Sequence, residues 1–236
     1  MTKAVFLTGT SNGLGKALFE LLSAENHSLF CIARRFLPEQ IELASQSTRH
    51  IRLFQADLRD SSQLPTASDM ESFLGEKEIS EVVLIHNAAV IEPIGAVGTL
   101  DPQQITEAIQ VNLTAPILLS NTLFAIKAVE TLPVKVLFIS SGAAKNLKDG
   151  WSIYCSTKAG GEMFFNVLAE QVKGNERISV YNVNPGVMDT PMQQTIRAAT
   201  DVHFPTLERF VRLKEEGQLA QPHDVASSII RDYLLA

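Results

Sequence analysis

Cysteine is scarce: the 236 residues hold only two, Cys31 and Cys155. Two thiols cannot build a disulfide framework or a four-cysteine zinc site, and their scarcity points to a reducing compartment. The histidines (His27, His50, His86, His203 and His223) are scattered without metal-ligand spacing, so no metal is expected. Basic charge is in deficit, 26 acids against 20 bases for a net −6, which disfavours nonspecific attraction to nucleic acid or anionic lipid. Long apolar runs are missing too. The oiliest stretch, Leu113 to Val129, is broken by Thr114, Pro116, Asn121 and Lys127, and the apolar start ending at Leu7 is too short for a signal peptide. No membrane partner is expected, and a soluble cytoplasmic protein is. A Pro/Gly/Ser linker, an internal repeat and a low-complexity tract are also lacking, so residues 1–236 are read as one domain. Apolar residues at 45% and charged residues at 19% leave enough material for a sizeable core without staples.

What is present is alternation. Apolar, β-branched runs at Ala4–Thr8, Ser28–Ala33, Ile51–Ala56, Val82–His86, Val134–Ser140 and Ile178–Val183 are separated by helix-length segments. Near-continuous apolar character predicts strands covered on both faces. The β-α-β-α order predicts an α/β fold, a doubly wound parallel sheet of the Rossmann type with helices on both faces. Asp101, Pro102 and Gln104 mark a helix start as N-cap, first-turn proline and capping-box partner. The segment 190–217 lacks a long clean period and is expected to be partly helical, a flap beside the active site.

The first strand runs into Gly9-Thr10-Ser11-Asn12-Gly13-Leu14-Gly15 and then a helix-like segment. Glycines there permit a tight turn in which backbone N–H groups reach a pyrophosphate on the helix N-terminus. About twenty residues later the second strand ends at Arg34-Arg35, where a cofactor with a free 2′-hydroxyl would call for an acid. Paired guanidiniums suit a 2′-phosphate, so NADPH is expected over NADH.

Trp151-Ser152-Ile153-Tyr154-Cys155-Ser156-Thr157-Lys158 places Tyr154 and Lys158 four apart, on one face of a helix. An ammonium ~4 Å from the phenol, at an effective dielectric of ~20, would favour the phenolate by as much as ~4 kcal/mol. Ser141, thirteen residues before Tyr154, stands just past a strand end, where ligands bind in such sheets. Asn112 precedes Pro116 by four, so its carbonyl should lose its i+4 partner and be free to face the cleft.

The T-G-x-x-x-G-x-G turn and the Ser-x12-Tyr-x3-Lys spacing resemble the short-chain dehydrogenase/reductase family along nearly the whole chain. The resemblance implies that Ser11, Asn12, Leu14 and the glycines hold NADP(H), that Asp57-Leu58 flank the adenine, and that Asn87-Ala88-Ala89 match the family's N-N-A-G, with His86 and Ala89 as departures. Asp57 reads equally well as a helix-capping residue, and Ala89 for glycine suggests a slightly displaced loop. Pro185, Gly186, Val187 and Thr190 would pass over the nicotinamide, and Asn112 would support a water-borne proton relay to Lys158. The outer faces of the Tyr154 and Asn112 helices would meet a second subunit, giving a homodimer, while Phe164, Phe165, Val167 and Leu168 are core candidates.

Residues 150–155 and 185–193 resemble segments of sepiapterin reductases and related bacterial benzil reductases. Reduction of a ketone or aromatic α-diketone is expected, in a pocket edged by Trp151, Met188, Met192 and Phe204. The chain stops after a helix, without the tail that anchors the pterin in sepiapterin reductases, which favours a diketone over a pterin. A pterin ketone reductase, an NADP-dependent alcohol dehydrogenase and a non-catalytic NADPH sensor are the alternatives.

Overall fold

The computed structural model describes residues 2–25, 27–46, 48, 50–199, 204 and 206–235. The apolar runs become six strands: β1 (Lys3–Thr8), β2 (Ser28–Ala33), β3 (Ile51–Gln55), β4 (Glu81–His86), β5 (Val134–Ile139) and β6 (Ile178–Val183). They form one parallel sheet in the order β3-β2-β1-β4-β5-β6. The order reverses between β1 and β4, and a cleft opens beyond the carboxyl ends of strands at such a reversal.

Continuous burial along β1 follows from its two covered faces. Ala4 and Phe6 point into one core with Phe30, Phe73 and Phe138, whereas Val5 and Leu7 point into another with Leu18, Leu22 and Ile229. Period-two alternation therefore persists, with apolar partners on either side. Complete cover does not extend to the edges. β3 and β6 are mostly half-buried, because an edge strand lacks a neighbour on one flank.

Helix α1 (Gly13–Ala24) packs with α9 (Pro222–Ile229) on one face. α2 (Pro38–Ser45) connects β2 to β3, and α3 (Ala67–Leu74) lies between β3 and β4. The other face carries α5 (Ala115–Phe124), which continues α4 (Pro102–Ile109) through a wide π turn at Gln110–Thr114, and the long α6 (Ser152–Gln171). Asp101 caps α4 by accepting from Gln103 N at 2.9 Å, with Pro102 first in the helix. The expected capping box does not form: it is Gln103 that uses its side chain, bonding Glu107 one turn on, and no bond joins Gln104 to the Asp101 N–H.

α6 lies close on the sheet because Gly161 has no side chain there. A Cβ at that position would stand 2.4 Å from the Phe138 ring. Phe165, one turn later, stacks on Phe138 at 4.9 Å. Of the core candidates on α6, Phe165 and Leu168 are buried, but Val167 lies on the opposite side of the helix and is 58% exposed. The 190–217 segment holds α7 (Pro191–Arg197) and α8 (Leu207–Glu215), which pack on each other. Its residues 200–203 and 205 lie outside the described part of the chain.

Candidate active site

A cavity of about 520 Å³ occupies the crevice at the carboxyl ends of the strands. One end is the glycine turn. Thr8 Oγ1 accepts from the backbone N–H groups of Asn87 and Ala88, both at 3.0 Å, while Asn87 Nδ2 donates to the carbonyls of Thr8 and Gly9. These bonds lock the β1 turn to the β4 turn. Gly15 is obligatory in this packing, since a Cβ there would lie 2.0 Å from Gly9 O and 2.4 Å from Asn87 Nδ2. The first turn of α1 carries no acid, and its leading N–H groups have no partner within the helix, so its positive end is left for an anion. Ser11, Asn12, Gly13 and Leu14 all line this part of the cavity, and the cradle fits a dinucleotide pyrophosphate. Ala89 itself does not have a positive φ, so alanine is accommodated there without backbone strain.

At the end of β2, Arg34 and Arg35 are exposed on the cavity wall and make no ion pair among the described residues. Asp57 and Leu58 line the same end. The carboxylate of Asp57 accepts from the backbone N–H and the guanidinium of Arg59, which holds it below the usual carboxylate range. Arg59 also reaches Glu107 at 3.1 Å.

The chemistry-bearing side chains converge at the middle. Ser141, just beyond β5, receives the Ala143 N–H on its Oγ at 3.2 Å, and both Tyr154 and Lys158 rise from α6 into the cleft. Tyr154 is 7% exposed and Lys158 only 2%. The Lys158 ammonium donates to the Ile139 carbonyl at 2.7 Å and lies 4.9 Å from the Phe138 ring centre, against 5.9 Å from that of Tyr154. Burial pushes the lysine down to about 7. It pushes the phenol up to about 12, opposed by the neighbouring Ser141 hydroxyl. The expected lowering of the phenol by the cation is therefore absent in this arrangement. Desolvation of both groups outweighs their attraction, because the ammonium is anchored on the β5 carbonyl.

Asn112 does not line the cavity as its freed carbonyl suggested. It sits behind the wall, 1% exposed, with Oδ1 accepting from Val90 N and Nδ2 donating to Val90 O, both at 2.8 Å, and to Thr157 Oγ1 at 3.2 Å. Its side chain thus pins the β4 loop to α6 within the widened turn before Pro116.

Beyond Tyr154 the wall turns apolar. Trp151 meets Tyr154 edge-on at 5.6 Å, and Met188 and Met192 line the same pocket. Phe204 is not an edge of it. The ring is completely buried, stacked on the far side of Trp151 at 4.9 Å and 9°, so it supports the indole rather than touching a ligand. Phe210, Ile91 and Ile196 take that place instead. Leu207, Phe210 and Leu213 recur at i, i+3, i+6 and pack in one cluster, a signal that could have marked α8 as a pocket wall. Pro185, Gly186, Val187 and Thr190 form the roof after β6, held by a Met188–Ala220 bridge and an Asp189–Lys214 ion pair at 2.5 Å.

This sheet and crevice define a doubly wound nucleotide-binding protein with a Ser-Tyr-Lys cluster. The short chain dehydrogenase family profile matches residues 3–201, and the chain belongs to that family of oxidoreductases. It is 36% identical over 227 residues to a benzil reductase ((S)-benzoin forming) of Bacillus cereus, covering 95% of this chain and 91% of that one. It is 32% identical over 225 residues to a sepiapterin reductase of Meriones unguiculatus, covering 90% and 84%. The crystal structure of the KRED1-Pglu enzyme superposes with a TM-score of 0.82 at 28% identity, over 98% of this chain and 95% of that one. Among the described residues no helix is long and apolar enough to cross a membrane, and no cluster of three or more metal-ligating side chains occurs.

Proposed function

We propose that the protein is an NADPH-dependent carbonyl reductase acting on a ketone or aromatic α-diketone of the benzil type. The observation that carries this reading is the position of the Tyr154 phenol, between the glycine cradle on one side and the Trp151 wall on the other. NADPH, when bound, would supply the hydride. Gly9, Ser11, Asn12, Gly13, Leu14 and Gly15 would hold its pyrophosphate, and Arg34 and Arg35 its 2′-phosphate. Pro185, Gly186, Val187 and Thr190 would cover the nicotinamide.

Tyr154 would donate its phenolic proton to the substrate oxygen as the carbonyl carbon is reduced. A phenol held near 12 is fully protonated at neutral pH, which suits an acid in the reducing direction. Ser141 would share the substrate oxygen and fix its approach. Lys158 would supply positive charge beside the developing phenolate, and Asn112 would hold the β4 loop in register with α6. The benzil reductase relative favours a diketone, and the sepiapterin reductase relative favours a pterin side-chain ketone as the second reading.

One domain with a flap at 190–217, a cytoplasmic setting and a homodimer complete the proposal. The dimer is supported by Met163 and Val167 on α6 and Ile109 on α4, all exposed apolar residues. An NADPH-oxidation screen over benzil, other diketones, sepiapterin and simple aldehydes tests the reading. Turnover of benzil is expected, and a protein that binds NADPH but oxidises it with none of these carbonyls would contradict it.

A further inference from the structure

The distribution of unpaired positive charge over this acidic protein is uneven. Among the described residues, the lysines and arginines whose side chains make no hydrogen bond, ion pair or ring contact are Arg34, Arg35, Lys77, Lys127, Lys148 and Arg209. Four of them line the cavity described above, two at each end. Arg34 and Arg35 mark the adenosine end. Lys148 and Arg209 stand at the other, beyond Tyr154.

Their placement follows from the pocket wall itself. Lys148 opens the turn that leads into α6, and its carbonyl accepts the Trp151 N–H at 3.1 Å. Arg209 precedes Phe210 on α8, and the Phe210 ring lies 5.3 Å from that of Trp151. The two cations therefore flank an aromatic wall. Among the described residues no carboxylate pairs with either of them. Asp57 is the only carboxylate among the residues lining the cavity, and it is at the far end, engaged by Arg59. On the elements that bear the two cations, Glu208 is paired with Arg212, and Asp149 makes no pair with Lys148. In a chain of net charge −6, cations left unneutralised beside an apolar pocket match an anion brought in by the ligand.

We infer that the preferred carbonyl substrate is aromatic and carries an anionic group, a carboxylate on or beside the ring, received by Lys148 and Arg209. The inference rests on the carbonyl reductase reading and deepens it. A neutral diketone fills the wall but leaves both cations without a partner.

The test compares benzil-4-carboxylate with its neutral amide, benzil-4-carboxamide, in NADPH oxidation. A kcat/KM ratio of about ten in favour of the carboxylate is expected, as for a partly exposed charge-assisted contact. The ratio should shrink as salt is raised and fall to about one in the Lys148→Gln/Arg209→Gln variant. In parallel, quenching of Trp151, the only tryptophan, reports binding of each compound without turnover.

A wild-type ratio near one, or a preference that survives in the double variant, overturns the inference. So does a variant that loses NADPH affinity while keeping the substrate ratio, since the cations would then serve the cofactor. If neither compound is reduced yet quenching still favours the carboxylate and depends on both cations, the reductase reading fails and the anion site stands.

Discussion

The Lys158 ammonium is anchored 2.7 Å from the carbonyl of Ile139, the last residue of β5 and two before Ser141, instead of being directed at the Tyr154 phenol. A buried lysine with a single neutral acceptor titrates low, at about 7. Its charge is thus available in the neutral range and switches off within it.

The pH dependence should follow. In the reducing direction, kcat/KM with NADPH is expected to fall as pH rises through about 7, when Lys158 loses its proton while Tyr154 keeps its own up to about 12. A Lys158→Arg variant, slower overall, should lose that limb because a guanidinium stays charged. For stability the sign is opposite: between pH 7 and 10.5 the unfolded chain binds more protons at Lys158 than the fold does, so this group's contribution rises with pH. Rate profiles of both proteins and urea titrations across that range check both statements.

Cofactor choice should reside in Arg34 and Arg35. Replacing both with alanine is expected to raise KM for NADPH by about ten- to a hundredfold, the cost of losing charge-assisted contacts to a phosphate. KM for NADH should change little. A loss shared equally by both cofactors would mean that the arginines do not read the 2′-phosphate.

Acid stability should depend on His86. It is buried against Phe165 with Nε2 sharing a hydrogen bond with Ser120 at 2.8 Å, while Nδ1 has no partner. Burial and the Lys158 charge push it down to about 3. The unfolded chain therefore takes up a proton near 6.5 that the fold refuses, and stability falls as pH drops from 6.5 toward 3, by up to about 5 kcal/mol. In the His86→Asn variant urea midpoints should decline less over that interval, whereas an unchanged decline would clear this histidine.

Much of this was legible beforehand because the responsible physics is local. Strands covered on both faces must be apolar at every position, so β1, β2 and β4 announce themselves within a residue of their ends. Tyr154 and Lys158 share a helix face by spacing alone. The failures concern tertiary placement. Pro116 does deprive the Asn112 carbonyl of an N–H, but the side chain is committed to Val90 and Thr157, elements distant in sequence. Phe204 and Phe210 both join the Trp151 cluster, and only packing decides which one backs the indole and which one faces the ligand. Burial depth, which sets the Lys158 and Tyr154 pKa values, has no short-range signature either.

The central claim is that the Tyr154 phenol delivers the proton. Its most direct test is NADPH oxidation with benzil by the Tyr154→Phe variant, alongside NADPH binding by fluorescence. The rate should drop by about 10² to 10⁴, the usual worth of a positioned acid, with NADPH affinity within a few-fold of wild type. Turnover close to wild type in that variant would contradict the account.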